Sequence, residues 1–243
     1  MPGLRSVILA ATAAALLVAG CGDDGTGGEP APTPSSNGIA DKAPEEIIRL
    51  AKEAFRQAGS VRVKGNGTND GAVYAVDMRI KGAAGGKGTV TVEHNLVTIL
   101  RIGKQAYLKG DADFWKAAGD PAVAELLKGK YLKAPSDRRQ LESILLFTDA
   151  GTFADKILKV DGGARKGERR TVAGVETVGV IFKSGKDEVT MYVATTGKPY
   201  PMQILTTSTD VDAGELVFTD YDKPLELTPP PADQVVDTSK LGG

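Results

Sequence analysis

From Ser60 onward apolar residues recur at every second position in short runs, and this alternation constrains the fold more than any other feature of the chain. Val61 and Val63 alternate with Arg62 and Lys64, and Tyr74, Val76, Met78 and Ile80 alternate with Ala75, Asp77, Arg79 and Lys81. Val90 and Val92 form the next run, then Leu96, Thr98, Leu100 and Ile102, then Ala106 and Leu108. Turn signals separate the runs at Gly65-Asn66-Gly67, Asn69-Asp70-Gly71, Gly82 to Gly88, His94-Asn95 and Gly103-Lys104. Side chains on a strand alternate between faces, so these runs predict an antiparallel meander with one apolar face and one wet face. Strands return after Thr171, with Thr177 to Phe182, Val189-Met191-Val193, Met202-Ile204 and Leu216-Phe218. The Pro229-Pro230-Pro231 tail is expected to end regular structure.

Two helical regions supply a cover for the apolar face. Pro44 suits the first position of a helix, and Glu45 and Glu46 favour its positive end. Ile47, Leu50, Ala51, Ala54, Phe55 and Ala58 then make one stripe at helical spacing, with Gly59 as the expected stop. Short, loosely amphipathic pieces follow in the middle of the chain: Asp113 to Gly119, a piece opening at Pro121 with Val123, Leu126 and Leu127, and another with Leu141, Ile144 and Leu145. With no internal repeat and no second linker, residues 42–238 read as one α+β domain of about eight to ten strands with helices on one face.

The amino terminus carries an address. Val7 to Leu17 is uncharged and follows Arg5. As a helix it would span only about 16 Å, short of a bilayer core of about 30 Å. It ends in Leu16-Leu17-Val18-Ala19-Gly20-Cys21, which resembles a bacterial lipoprotein signal. That likeness implies removal of residues 1–20 and lipid attachment at Cys21, the only cysteine. Gly22 to Asp41 is rich in Gly, Pro, Ser and Thr and is expected to be a flexible tether; residues 239–243 are read as a short tail.

Composition and motif counts exclude several functions. The chain has 30 basic and 31 acidic residues, and only Arg5 of these precedes Cys21, leaving a net charge of −2 beyond the signal. That balance leaves no footprint for nucleic acid. His94, the only histidine, sits in a hairpin turn, so neither a catalytic triad nor a zinc site can be assembled around it, and no cofactor or metal is expected. Asp210-x-Asp212-x-Gly214 lacks most of a calcium loop. Gly85-Gly86-x-Gly88 reads as a link between strands, not a phosphate loop. Sequence spacing leaves open an all-carboxylate site and carboxylate pairs that face across a cleft, but an enzyme is not expected.

The order of elements resembles the LppX/LprG-type lipoproteins of mycobacteria and their actinobacterial relatives. The similar stretches are Gly174-Val175-Glu176-Thr177, Met191-Tyr192-Val193 with Thr196-Gly197 and Pro201, and Phe218-x-x-Tyr221 before Pro229-Pro230. They are scattered over residues 44–237, and Phe114 to Pro135 departs from the family. The resemblance implies a LolA-like fold: a curved antiparallel sheet, like half a barrel, with helices packed on its concave face. It also implies a carrier of an acylated lipid or glycolipid, held in an apolar cavity between sheet and helices. The candidate wall residues are Val76, Met78, Ile80, Val90, Val92, Leu100, Ile102, Leu145 and Phe182, which would equally serve a packed core. The expected partners are the membrane through Cys21, on the extracytoplasmic face of the cell membrane, and a lipid. A tethered envelope interaction or stress-sensor module, with a dry core and a protein partner, is the alternative.

Overall fold

The computed structural model describes residues 35–69, 71–117, 121–137, 139–207 and 213–237. Cys21, the signal, most of the tether and the last six residues lie outside them, as do Asp210 and Asp212.

After α1 (Pro44–Gln57) come five strands of a meander: β1 (Val61–Asn69), β2 (Ala72–Lys81), β3 (Gly85–Val92), β4 (Asn95–Ile102) and β5 (Gln105–Gly110). Helices α2 (Ala112–Ala117) and α3 (Pro121–Leu126) precede β6 (Tyr131–Pro135); α4 (Glu142–Leu145) and α5 (Ala150–Ile157) follow it. A second meander comprises β7 (Arg165–Val172), β8 (Val175–Ser184), β9 (Asp187–Ala194), β10 (Pro201–Thr207) and β11 (Gly214–Thr219), and β12 (Val235–Asp237) closes the described chain. All twelve strands form one sheet in the order β12-β6-β5-β4-β3-β2-β1-β11-β10-β9-β8-β7. Pairing of β1 with β11 joins the two meanders. The sheet is curved and open, with β12 and β7 at its edges and the helices on the concave face, the α+β arrangement expected from the sequence.

Helix α1 buries Ile47, Ile48, Ala51 and Phe55 and packs over β8, β9 and β10. A fully buried apolar side chain of this size contributes about 1.5–3 kcal/mol, so the stripe fixes the helix to the sheet. Phe55 meets Phe153 of α5 at 5.2 Å and Phe218 of β11 at 5.7 Å between ring centroids, the second pair edge to face. All three rings are fully buried.

Several local expectations differ from the structure. Helix α1 ends at Gln57 because Ala58 turns into extended backbone; Gly59 plays no left-handed capping role. Gly65-Asn66-Gly67 is not a turn but part of β1, where a Cβ on Gly65 would lie 1.8 Å from the carbonyl oxygen of Glu215. Glycine there lets β11 approach closely. Gly85, Gly86 and Gly88 likewise belong to β3. The segment after Pro231 does not end regular structure: Val235 to Asp237 pairs with β6, in the one parallel ladder among the described strands. Three residues are too few to show a period. At the other end, Ser36 to Asp41 belongs to the folded body, not to the tether. Ser36 bridges to Thr196, the Asn37 side chain donates to the carbonyls of Ala194 and Gly197, and Ile39 is buried.

Candidate functional site

Register decides which side chains share the concave face. Val76 lies opposite Val90, Met78 opposite Gly88 and Ile80 opposite Gly86, so these four predicted wall residues gather on the inner face of β2 and β3, all buried. Leu145 of α4 is buried above the sheet, packed into the same core as these four. Phe182 is also inner-facing, but on β8 in the other half of the sheet, opposite Val189. Val92 sits at the end of β3 opposite Asn95 and is 40% exposed.

Leu100 and Ile102 point the other way. They pair with Lys87 and Gly85 on the outer face, and their inner-facing neighbours are Val97 and Ile99, both buried. The run from Leu96 to Ile102 is apolar on both faces, so alternation alone cannot orient it. The two-residue turn Glu93-His94 can: it sets Val92 against Asn95, hence Val90 against Val97 and Gly88 against Ile99. Inner-facing Leu108 on β5, with Trp115 and Leu127 from the helical middle, were also missed by the sequence reading.

The cover over the concave face is of two kinds. Over β8–β11, α1 and α5 are held by the phenylalanine cluster. Over the β2–β6 half lie α2 and α3 of six residues each, α4 of four, and single 3-10 turns at Arg139–Leu141 and Leu146–Thr148. Helices this short have little stability of their own, so this cover is only as stable as its contacts. Trp115, Ala124, Leu127 and Leu145 are buried, Phe114, Leu132, Leu141 and Phe147 are half-buried, and Leu126 is 43% exposed.

One polar fastening holds this cover at its carboxy-terminal end. Arg101 occupies an inner-facing position near the end of β4, and its side chain is 11% exposed. Its guanidinium donates to Thr148 Oγ1 (3.0 Å), to the carbonyl oxygens of Thr148 (2.7 Å), Gly103 (2.9 Å) and Ala83 (3.2 Å), and to Asp149 Oδ2 (3.1 Å). Asp149 in turn caps α5 by accepting from the Thr152 N–H. Beneath this turn a Cβ on Gly86 would lie 3.0 Å from Thr148 Cα, so glycine in β3 lets the turn rest on the sheet.

An open hollow lies on the opposite face of the sheet. The segment after β11 crosses the outer face of the first meander and leaves a groove of about 740 Å³, floored by Thr89, Thr98 and Leu100 and bounded by Arg79, Pro230 and Pro231. Its charges are mostly committed. Arg62 grips Asp77 through two hydrogen bonds of 2.8 and 2.6 Å, which lower the carboxyl pKa and raise that of the guanidinium. Arg79 donates to the Pro224 carbonyl, and the hydrogen bond from Lys223 lowers the pKa of Asp220. Among the described residues no three His, Cys, Asp or Glu side chains gather as a metal site would require, and no helix is long and apolar enough to cross a membrane.

The chain shares this fold with two mycobacterial proteins of known structure. LprF from Mycobacterium bovis superposes with a TM-score of 0.55 at 14% identity, over 77% of this chain and 96% of LprF. The lipoprotein LppX from Mycobacterium tuberculosis superposes with a TM-score of 0.54 at 13% identity, over 76% of this chain and 98% of LppX. At these identities the likeness is one of fold. No protein-family model matches the sequence, and no curated protein matches it.

Proposed function

We propose that this chain is a lipoprotein anchored through Cys21 to the extracytoplasmic face of the cell membrane, which takes acyl chains between the β2–β6 half of its sheet and the short helices above. The observation that carries this reading is the contrast between the two covers. One half is locked by interleaved phenylalanines; the other is a continuous apolar face, from Val76 and Met78 to Leu108, roofed by helices of four to six residues. Short helices separate from a sheet at lower cost than α1 does, and acyl chains can replace the apolar contacts that they give up. The fold shared with LppX, itself a lipoprotein, supports the reading, as does the resemblance of Leu16 to Cys21 to a lipoprotein signal.

The full chain carrying Cys21→Ser, purified without detergent, tests this by native mass spectrometry. The expected result is added mass that is lost on organic extraction and restored by incubation with dipalmitoylglycerol. A clean mass before and after that incubation would contradict lipid binding and favour a dry module with a protein partner.

A further inference from the structure

Trp115 is 5% exposed, and its indole N–H is buried without a hydrogen-bond partner. It is the one buried side-chain donor of the helical cover in that condition among the described residues. A buried indole normally finds an acceptor, because leaving a desolvated donor unpaired costs about 1–3 kcal/mol. The placement of this unpaired donor is specific. Asp111 caps α2 by accepting from the Phe114 N–H, and α2 lies against β4, β5 and α3 on the concave side. There the inner-facing residues are Val97, Ile99 and Leu108, with Ala124 and Leu127 nearby in the same core. The unused donor thus lies in an apolar core, with the Phe114 ring 4.8 Å from the indole, edge to face.

Resting on the reading of this face as a lipid site, we infer that Trp115 Nε1–H is the polar anchor of the ligand, donating to the carbonyl oxygen of an ester- or amide-linked acyl chain. The acceptor is neutral. Arg101, the cation on the inner face of β4, is already committed to Thr148, Asp149, Gly103 and Ala83, so a carboxylate buried beside Trp115 would find no free cation to offset its desolvation. A bare hydrocarbon would leave the donor unpaired. The site therefore selects neutral acyl esters or amides over both free fatty acids and alkanes of equal length.

Trp115 is the only tryptophan of the chain, so its indole gives a single resonance in a nitrogen–proton correlation spectrum. The full chain carrying Cys21→Ser, delipidated and titrated with dipalmitoylglycerol, palmitate or hexadecane, supplies the test. Dipalmitoylglycerol is expected to move the indole proton downfield and slow its exchange with solvent, whereas hexadecane leaves it near its ligand-free position. W115F keeps an aromatic ring but lacks the donor; it is expected to bind dipalmitoylglycerol about fivefold more weakly, the loss of one hydrogen bond, with hexadecane affinity unchanged. Dipalmitoylglycerol bound with an unmoved indole resonance, or W115F binding it as tightly as the parent, would overturn this inference alone. Palmitate binding more tightly than the ester would overturn the neutral acceptor. Failure of all three probes to bind would overturn the lipid site itself.

Discussion

Replacing Phe153 with alanine is expected to lower stability by about 3–5 kcal/mol, the range for emptying a fully buried phenylalanine site. Phe153 stands at the centre of the better-covered half, 5.2 Å from Phe55, 5.8 Å from Phe218 and 5.7 Å from Phe147. Truncation removes the ring on which α1, α5, β11 and the 146–148 turn converge. None of these elements can collapse into the space without pulling the others off the sheet, so the value should fall toward the upper part of the range. A drop of about 10 °C in Tm by calorimetry is the expected reading for a chain of this size. A loss below about 1 kcal/mol, less than a buried methylene series would give, would mean that the cluster is loosely packed and that the contrast between the two covers is false.

R101M is expected to cost about 2–4 kcal/mol and to act locally before it acts globally. The substitution keeps a long apolar stem but removes the guanidinium donors to the carbonyls of Ala83, Gly103 and Thr148 and to Asp149 Oδ2, leaving that carboxylate, among the described residues, only the Thr152 N–H. Those acceptors belong to three separate turns, so no single side chain nearby can replace the guanidinium. R101K should recover little of the loss, since an ammonium is a point charge and cannot span acceptors arranged around a planar fork. Hydrogen exchange should quicken first in residues 142–149, while α1 keeps its protection. Equal quickening in both helical covers would show that Arg101 is a general structural residue and not the fastening of one cover.

Much of this architecture was legible in the sequence, because each element repeats a period long enough to read. The stripe of α1 and the alternation of β2 are unambiguous, and the two-residue turns place neighbouring strands side by side. What escaped has physical reasons. In Leu96 to Ile102 both faces are apolar: one faces the helices and the other lies under the carboxy-terminal segment, so the choice of Leu100 and Ile102 over Val97 and Ile99 was arbitrary without register. Glycines that permit close approach of strands look like turn glycines until their partners are known. Ile39 is one apolar residue in a polar stretch, and its burial depends on Asn37 binding the loop after β9. Trp115 gave no sequence signal at all, since an aromatic residue on a short helix is ordinary core until its N–H is found without an acceptor.

Lipid uptake beneath the short helices is read most directly by hydrogen exchange, followed peptide by peptide, on the delipidated full chain carrying Cys21→Ser with and without dipalmitoylglycerol. Protection is expected to rise in α2, α3 and residues 142–148, and in the strands β2–β5 beneath them, with α1 and α5 unchanged. Protection that rises instead along residues 224–237 would place the lipid in the outer groove, and no change anywhere would remove the lipid site altogether.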